Sequence, residues 1–342
     1  MRIFAVLVSV LLLASCATPY VQSPLVSPDR YTTPVMDETR FVMRDGAVLP
    51  YLRWMPEGEA PWAVVIALHG INDSRAAFRL AGPWWAERGI ATYAYDQRGF
   101  GGTSMRGDWA GTGAMTDDLG TVTELLRVAH PNLPVYALGE SMGGAVIMAA
   151  LASAIPPRLD GAVLSAPAVW GRSTLAPWKR FILTLAAHTV PRIRVRPQSL
   201  PSPPSDNIEM LRRLYHDPMM IKETRIEVAW GLTGLMDDAL AAAPRISTPL
   251  LVLYGEQDGI IPRGPTCRML ETLPDGGTNG RHWRLALYED GYHMLFRDLH
   301  GDRVSADIAA WLGDPAAALP SGAEIKPANG ARPLPDFCPF KD

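Results

Sequence analysis

Three side chains with the chemistry of a nucleophile, an acid and a base follow one another along this chain. Ser141 sits in Gly139-Glu140-Ser141-Met142-Gly143, after an apolar strand-like run and ahead of a helical one. A serine hydroxyl is a poor nucleophile until an adjacent base removes its proton. The small glycines permit a sharp strand-to-helix turn that lifts the hydroxyl from the sheet edge. The same turn aims the Met142 N–H, at a helix N-terminus, toward a developing oxyanion. Asp258 follows Leu253-Tyr254-Gly255-Glu256-Gln257, and His293 follows Asp290-Gly291-Tyr292, each just past an expected strand. In this arrangement Ser141 attacks, His293 serves as base and then acid, and Asp258 holds the imidazole and stabilises its charged form. The loop His69-Gly70-Ile71-Asn72 supplies a second oxyanion donor, the Ile71 N–H, with His69 expected to hold the loop. Of the seven histidines, His282 precedes the last strand and belongs at the opposite edge. His130 ends a helix, His188 and His216 fall in an insertion, and His300 begins the last helical region. Glu256 is the nearest rival to Asp258.

The elements that must position these residues alternate between apolar runs and helical spacing. Residues 40–44 and 47–54 flank Asp45-Gly46, a hairpin signal. Strands are expected at 62–68, 90–95, 134–138, 161–164, 250–254 and 283–288. Helices are expected at 76–88, 116–129, 142–154, 263–273 and 303–312. Strands without polar alternation, separated by helices, predict an α/β fold: a mostly parallel sheet with helices on both faces. Open sheets of this kind place ligands outside the carboxyl ends of their strands. The core is expected over 40–168 and 245–314. Between them, residues 169–244 read as an inserted helical cap, or lid, with helical pieces at 177–187, 208–214 and 235–242 and a Pro-rich link at 197–204. Residues 315–342 read as a Pro/Gly-rich surface tail.

The N-terminus reads as an address. Arg2 precedes an apolar run over residues 3–14, shorter than the ~20 residues that span a bilayer, so it is a secretory h-region. Leu13-Ala14-Ser15-Cys16 resembles the bacterial lipobox, which implies cleavage after residue 15 and a lipid on Cys16. Residues 16–39 would then tether the domain to that lipid. The expected location is the bacterial cell envelope, periplasm-facing, with the outer membrane favoured because Ala17 is not an aspartate. Cys267 and Cys338 can form one disulfide in such a compartment, or remain two thiols. No Cys/His cluster has zinc-like spacing.

The counts exclude other classes. Lys+Arg 32 against Asp+Glu 35 leaves no field to attract nucleic acid. An apolar fraction of 48% supports a packed core. Gly 30 and Pro 31 exceed ordinary usage, and fall in the tether, the lid link, the tail and the catalytic turns. Charge is uneven: Arg172, Lys179, Arg180, Arg192, Arg194 and Arg196 lie between residues 169 and 205, where no Asp or Glu occurs. Trp178, Phe181, Ile182 and Leu185 recur beside them at helical spacing. Such a cap can lean on an anionic leaflet, with Arg192, Arg194 and Arg196 facing lipid. The alternative is that the apolar face packs on the sheet and the cations are solvated.

Four segments carry a resemblance: His69-Gly70, Tyr95-Asp96-Gln97-Arg98-Gly99-Phe100-Gly101, Gly139–Gly144 and Gly291-Tyr292-His293-Met294-Leu295. Together they look like the lysophospholipase and monoacylglycerol lipase branch of the α/β-hydrolases, over roughly residues 40–312. Relatives in the wider grouping include serine aminopeptidases. The resemblance implies hydrolysis of single-chain lipid esters beneath a cap, through an acyl-enzyme on Ser141 and with no metal or organic cofactor. Residues 96–101 match a signature of the family and read as a structural turn. One departure stands out. The lipase branch often has Gly-Glu-His soon after His-Gly, where this chain has Ile71-Asn72-Asp73-Ser74, so acyl-glycerol specificity does not follow from the motif. A general carboxylesterase and a non-catalytic envelope binding protein are the other classes. The presence of Ser141, Asp258 and His293 together argues against the latter.

Overall fold

The computed structural model describes residues 18–196, 202–274, 282–326 and 334–338. Cys16 and part of the Pro-rich link lie outside the described residues. In chain order the strands are β1 (Val35–Met36), β2 (Arg40–Val42), β3 (Val48–Trp54), β4 (Ala63–Leu68), β5 (Ile90–Tyr95), β6 (Val135–Glu140), β7 (Gly161–Ser165), β8 (Arg194–Val195), β9 (Thr224–Arg225), β10 (Leu250–Gly255) and β11 (Trp283–Tyr288). The helices are α1 (Ala81–Ala86), α2 (Thr112–Ala129), α3 (Met142–Leu151), α4 (Pro177–Thr189), α5 (Ile208–His216), α6 (Ile226–Ala242), α7 (Arg263–Thr272) and α8 (Gly301–Gly313).

Among the described residues, nine strands form one sheet in the order β1-β2-β3-β5-β4-β6-β7-β10-β11. From β5 to β11 all neighbours are parallel, and β1, β2 and β3 add an antiparallel margin. Every residue of β4, β5, β6, β7 and β10 is buried, because both faces are covered. One apolar cluster joins the sheet to α2, α3, α6 and α7. The other joins it to α1 and α8 through Trp85 and Trp311. Each large apolar side chain so buried contributes about 1.5–3 kcal/mol against the entropy of ordering the chain.

Several elements differ from the sequence expectation. The expected helix over 76–88 is a 3-10 turn (Arg75–Phe78) followed by α1. Pro83 has no N–H to give the Arg79 carbonyl, so the helix restarts with the proline in its first turn, where no such bond is needed. Helix α6 begins at Ile226 rather than near Leu235. Its glycines interrupt the apolar period, but a Cβ on Gly231 would lie 2.4 Å from the Trp109 ring.

The expected tether is in part a strap. Gln22 N donates to Trp109 O at 2.8 Å, and its side-chain amide donates to Asp108 O at 3.0 Å. Thr32 N then bonds Arg44 O at 2.9 Å, which holds the segment along the domain. The expected surface tail is also partly built in. Leu287 N donates to Ala323 O and Ile325 N to Leu285 O, so residues 323–325 run antiparallel against β11 and cover its edge. Both Glu324 carboxylate oxygens take hydrogen bonds from Arg284 at 2.7 Å. Further on, Cys338 is joined to Cys267 of α7, with Cα atoms 5.4 Å apart. A cross-link closing a loop of this size restricts the unfolded chain by about 2–4 kcal/mol. It also seats Phe337 against Tyr254 and under Arg263, beside the turn that follows β10.

The insertion between β7 and β10 contains α4, α5, the two-residue pairing of β8 with β9, and α6. It does not lay its apolar stripe on the sheet. Trp178, Phe181, Ile182 and Leu185 are all exposed, and Ala187 is the buried residue of α4. The packed-face alternative for this helix is therefore overturned: α6 accepts only one edge of α4, and the opposite side faces outward.

Candidate active site

The carboxyl ends of β4, β6, β10 and β11 lie along one edge of the sheet. The register pairs Leu68 with Gly139, Glu140 with Ser165, Leu253 with Ser165 and Gly255 with Tyr288. Each strand releases one expected group there: the His69–Asn72 loop, Ser141, Asp258 and His293. The sheet order also turns in opposite directions on either side of β4, the place where open α/β sheets hold ligands.

Ser141 occupies a left-handed backbone conformation, φ 53° and ψ −112°, as the residue before α3. A non-glycine residue there costs about 1–3 kcal/mol and persists only when its surroundings hold it. Here Ser141 N donates to Ser165 O at 2.9 Å, while Ser141 O accepts from Ala168 N at 2.9 Å. The turn needs its glycines: a Cβ on Gly143 would lie 2.2 Å from Leu68 O, and one on Gly139 would lie 2.4 Å from Gly143 C. Met142 is the first residue of α3, so its N–H has no intrahelical acceptor. Gly70 lies directly against the serine, where a Cβ would stand 3.4 Å from Ser141 Cβ. Ile71, the expected second donor, is thereby brought beside Ser141.

Asp258 Oδ2 accepts from His293 Nδ1 at 2.9 Å. Its other oxygen accepts from Ile260 N at 2.7 Å and Ile261 N at 3.0 Å, which fixes the carboxylate in its turn. With Nδ1 donating to Asp258, Nε2 is the basic nitrogen of the ring. Ser141, Asp258 and His293 are 5%, 8% and 4% exposed, so the three groups sit beneath the cap rather than in open solvent. The cap is bonded to the loops beside them. Ser202 Oγ donates to Gln257 O at 2.9 Å, Met294 N donates to Pro204 O at 2.9 Å, and Ile221 N donates to Asn72 O at 2.9 Å.

The other singled-out residues are placed elsewhere. His69 is buried, its Nε2 accepting from Gln97 N at 3.1 Å and its Nδ1 bonding Gly70 O at 2.7 Å. It thus holds the loop on which Ile71 lies. Asp96 accepts from Arg75 N and Gly102 N, and Arg98 bridges Asp45 and Asp118, which makes residues 96–102 a braced turn. Burial pushes the Asp118 carboxyl up to about 6 despite Arg98. His282 lies at the amino end of β11, where its carbonyl accepts from Leu250 N. Among the described residues no group of three or more His, Cys, Asp or Glu could hold a metal ion.

Sequence reasoning missed the residues that hold these loops together. Arg297, 3% exposed, meets Glu140 through Nη2 and also lies 2.7 Å from Asp73 Oδ2. Burial opposes its charge, but Asp73 and Glu140 together push its pKa up. One guanidinium thus ties the Ser141 turn, the loop that follows β4 and the loop that carries His293. Asp298 is the second such residue. Its Oδ2 accepts from Tyr292 N at 2.8 Å, next to His293, and burial raises the carboxyl to about 7. Asn72, with φ 63°, is the third, donating from Nδ2 to Thr224 Oγ1 of β9 at 2.6 Å. The acidic residue inside the Gly-x-Ser-x-Gly turn was the available signal for the first of these, since a buried Glu140 requires a cation.

The chain is similar to known proteins in sequence and in fold. The chain is 25% identical to the monoacylglycerol lipase of Mycolicibacterium smegmatis over 277 residues, covering 80% of this chain and 96% of that one. It is 23% identical to the monoglyceride lipase of Homo sapiens, covering 82% and 90%. Among solved structures, a soluble variant of monoglyceride lipase from Saccharomyces cerevisiae, in complex with a substrate analogue, superposes with a TM-score of 0.68. The identity is 18%, covering 86% of this chain and all of that one. The shared fold is that of the α/β-hydrolases. The family described as serine aminopeptidase, S33, matches residues 59–300, a stretch holding Ser141, Asp258 and His293. On that match, which takes in well over half of its length, the chain belongs to the Hydrolase_4 (serine aminopeptidase, S33) family.

Proposed function

We propose that this hydrolase cleaves carboxylic esters of single-chain lipids, monoacylglycerol or lysophospholipid, through an acyl-enzyme on Ser141. The observation that carries the reading is the buried Asp258–His293 hydrogen bond at the same sheet edge as the strained Ser141 turn. In the first half-reaction Ser141 Oγ attacks the ester carbonyl as His293 Nε2 takes its proton. The tetrahedral oxyanion rests against the N–H groups of Met142 and Ile71. His293 returns the proton to the departing alcohol oxygen, and an acyl-serine remains. Water then repeats the sequence, with the same base, and releases the fatty acid. Similarity to monoacylglycerol lipases over most of the chain supports the lipid class of the substrate.

The same reading extends to location. A lipid on Cys16 would hold the enzyme in the bacterial envelope, facing the periplasm, with the outer membrane as the expected site. The cap residues Arg192, Arg194 and Arg196 would then face anionic lipid. A hydrolysis panel tests the substrate class. Long-chain monoacylglycerol or lysophospholipid is expected to exceed short-chain esters in kcat/KM by ~10-fold or more, since each additional buried CH₂ adds about 0.8 kcal/mol. Ile71-Asn72-Asp73-Ser74, where the lipase branch often has Gly-Glu-His, favours the second reading, a general carboxylesterase. A preference for short esters in the panel would establish that reading instead.

A further inference from the structure

We propose that Asp298 is a positioning residue for the reaction: with Ser205 it forms the joint by which the segment leading into α5 of the cap holds the main chain around His293. The inference rests on the serine-hydrolase reading and adds what sets the place of its base.

Asp258 fixes one nitrogen of the His293 ring. The ring can serve Ser141 only if its own backbone is held as well. The amides on either side of His293 are both tied. Tyr292 N donates to Asp298 Oδ2 at 2.8 Å, and Met294 N donates to Pro204 O at 2.9 Å. Packing alone does not hold this loop. Glu289, Asp290 and Gly291 border a cavity of about 240 Å³ that Asp298 also lines.

Residues 204–207 are joined to 292–299 at successive points. Pro204 O takes the Met294 amide, Asp206 Oδ1 takes the Leu299 amide at 2.8 Å, and Asn207 Nδ2 donates to Arg297 O at 3.1 Å. Ser205, fully buried, stands among them with its hydroxyl beside the Asp298 carboxyl. Burial opposes the Asp298 charge most strongly. The Ser205 hydroxyl and the Tyr292 amide favour it, while Asp206 and Glu140 oppose it. A buried carboxylate persists as an anion only where hydrogen bonds compensate it. Here the compensating groups come from the cap segment and from the residue before His293.

The same segment reaches the acid. Ser202 Oγ donates to Gln257 O at 2.9 Å, next to Asp258, and Gln257 N donates to Gly291 O at 2.9 Å. The cap segment, the Asp258 turn and the His293 loop therefore form one bonded unit. Asp298 carries the side-chain tie adjacent to the base in sequence. A misplacement of about 1 Å in such a group can lower a rate by ~10²-fold.

The test measures kcat and KM on a soluble short-chain ester, together with the melting temperature, for the unaltered full chain and three variants. Asp298→Ala is expected to lower kcat by ~10–100-fold with KM within about two-fold, because the lost contact aligns the base and does not bind the ester. Asp298→Asn keeps an acceptor for the Tyr292 amide and should bring kcat back to within about five-fold of the unaltered protein. Ser205→Ala, which removes no buried charge, should lower kcat by roughly three- to ten-fold while melting close to the unaltered protein. A lower melting temperature with unchanged kcat in the folded variants is what a purely structural role gives, and it would overturn the inference. So would an Asn variant as slow as the Ala one. Unchanged kcat in Ser205→Ala would overturn it too, and that variant decides the matter if Asp298→Ala does not fold. Inactivity of the unaltered protein on the ester would instead strike the hydrolase reading itself.

Discussion

Ser141→Ala is expected to lower kcat on a soluble ester by about 10⁴–10⁶-fold with KM little changed. The substitution removes the hydroxyl at the turn between β6 and α3 and leaves the main-chain hydrogen bonds that shape the turn. Ser141 N and O keep their bonds to Ser165 O and Ala168 N, because both are main-chain groups. Alanine bears the left-handed conformation at about the cost serine does, so the fold should melt within a few degrees of the unaltered protein. Residual rate above that in water would come from the Met142 and Ile71 N–H groups acting on a directly attacking water. Retention of a tenth of the activity, in a folded variant, would remove Ser141 from the chemistry.

The largest expected effect on stability is that of Arg297→Leu. Arg297 is buried, and its partners Glu140 and Asp73 are buried with it, one beside Ser141 and one on the loop that follows β4. Removing one partner of a buried charge cluster costs about 3–5 kcal/mol, mostly because uncompensated charge stays behind. At roughly 2–4 °C per kcal/mol, the melting temperature should fall by about 6–20 °C. Adding Glu140→Gln and Asp73→Asn, which removes the charge left behind, should recover part of the loss. A single variant that melts as the unaltered protein does would show that the network holds nothing.

The two expectations differ in how far the sequence announces them. Ser141, Asp258 and His293 are legible because each closes a short local pattern, a mostly apolar run followed by a turn. Their meeting then follows from parallel strands whose carboxyl ends share an edge. The hairpin at Asp45-Gly46 and the buried strands are legible for the same reason. The Arg297–Glu140–Asp73 cluster is not, since it joins residues far apart in sequence through contacts that no periodicity encodes. The outward orientation of α4 was equally hidden. An apolar stripe at helical spacing has the same appearance whether it meets a core or solvent, and only the packing against α6 decides it. The strip over 323–325 escaped because three residues pairing with an edge are too short to show alternation. Pro83 was visible, and its missing N–H is sufficient reason for the break ahead of α1.

The central claim is that Ser141 becomes acylated beneath the cap. It is tested most directly by treating the folded full chain with a fluorophosphonate and locating the adduct by peptide mass spectrometry. One adduct per chain is predicted, on the peptide carrying Ser141, with labelling slowed by monoacylglycerol and lost in Ser141→Ala. A folded protein that takes up no probe, or takes it on another serine, would contradict the account.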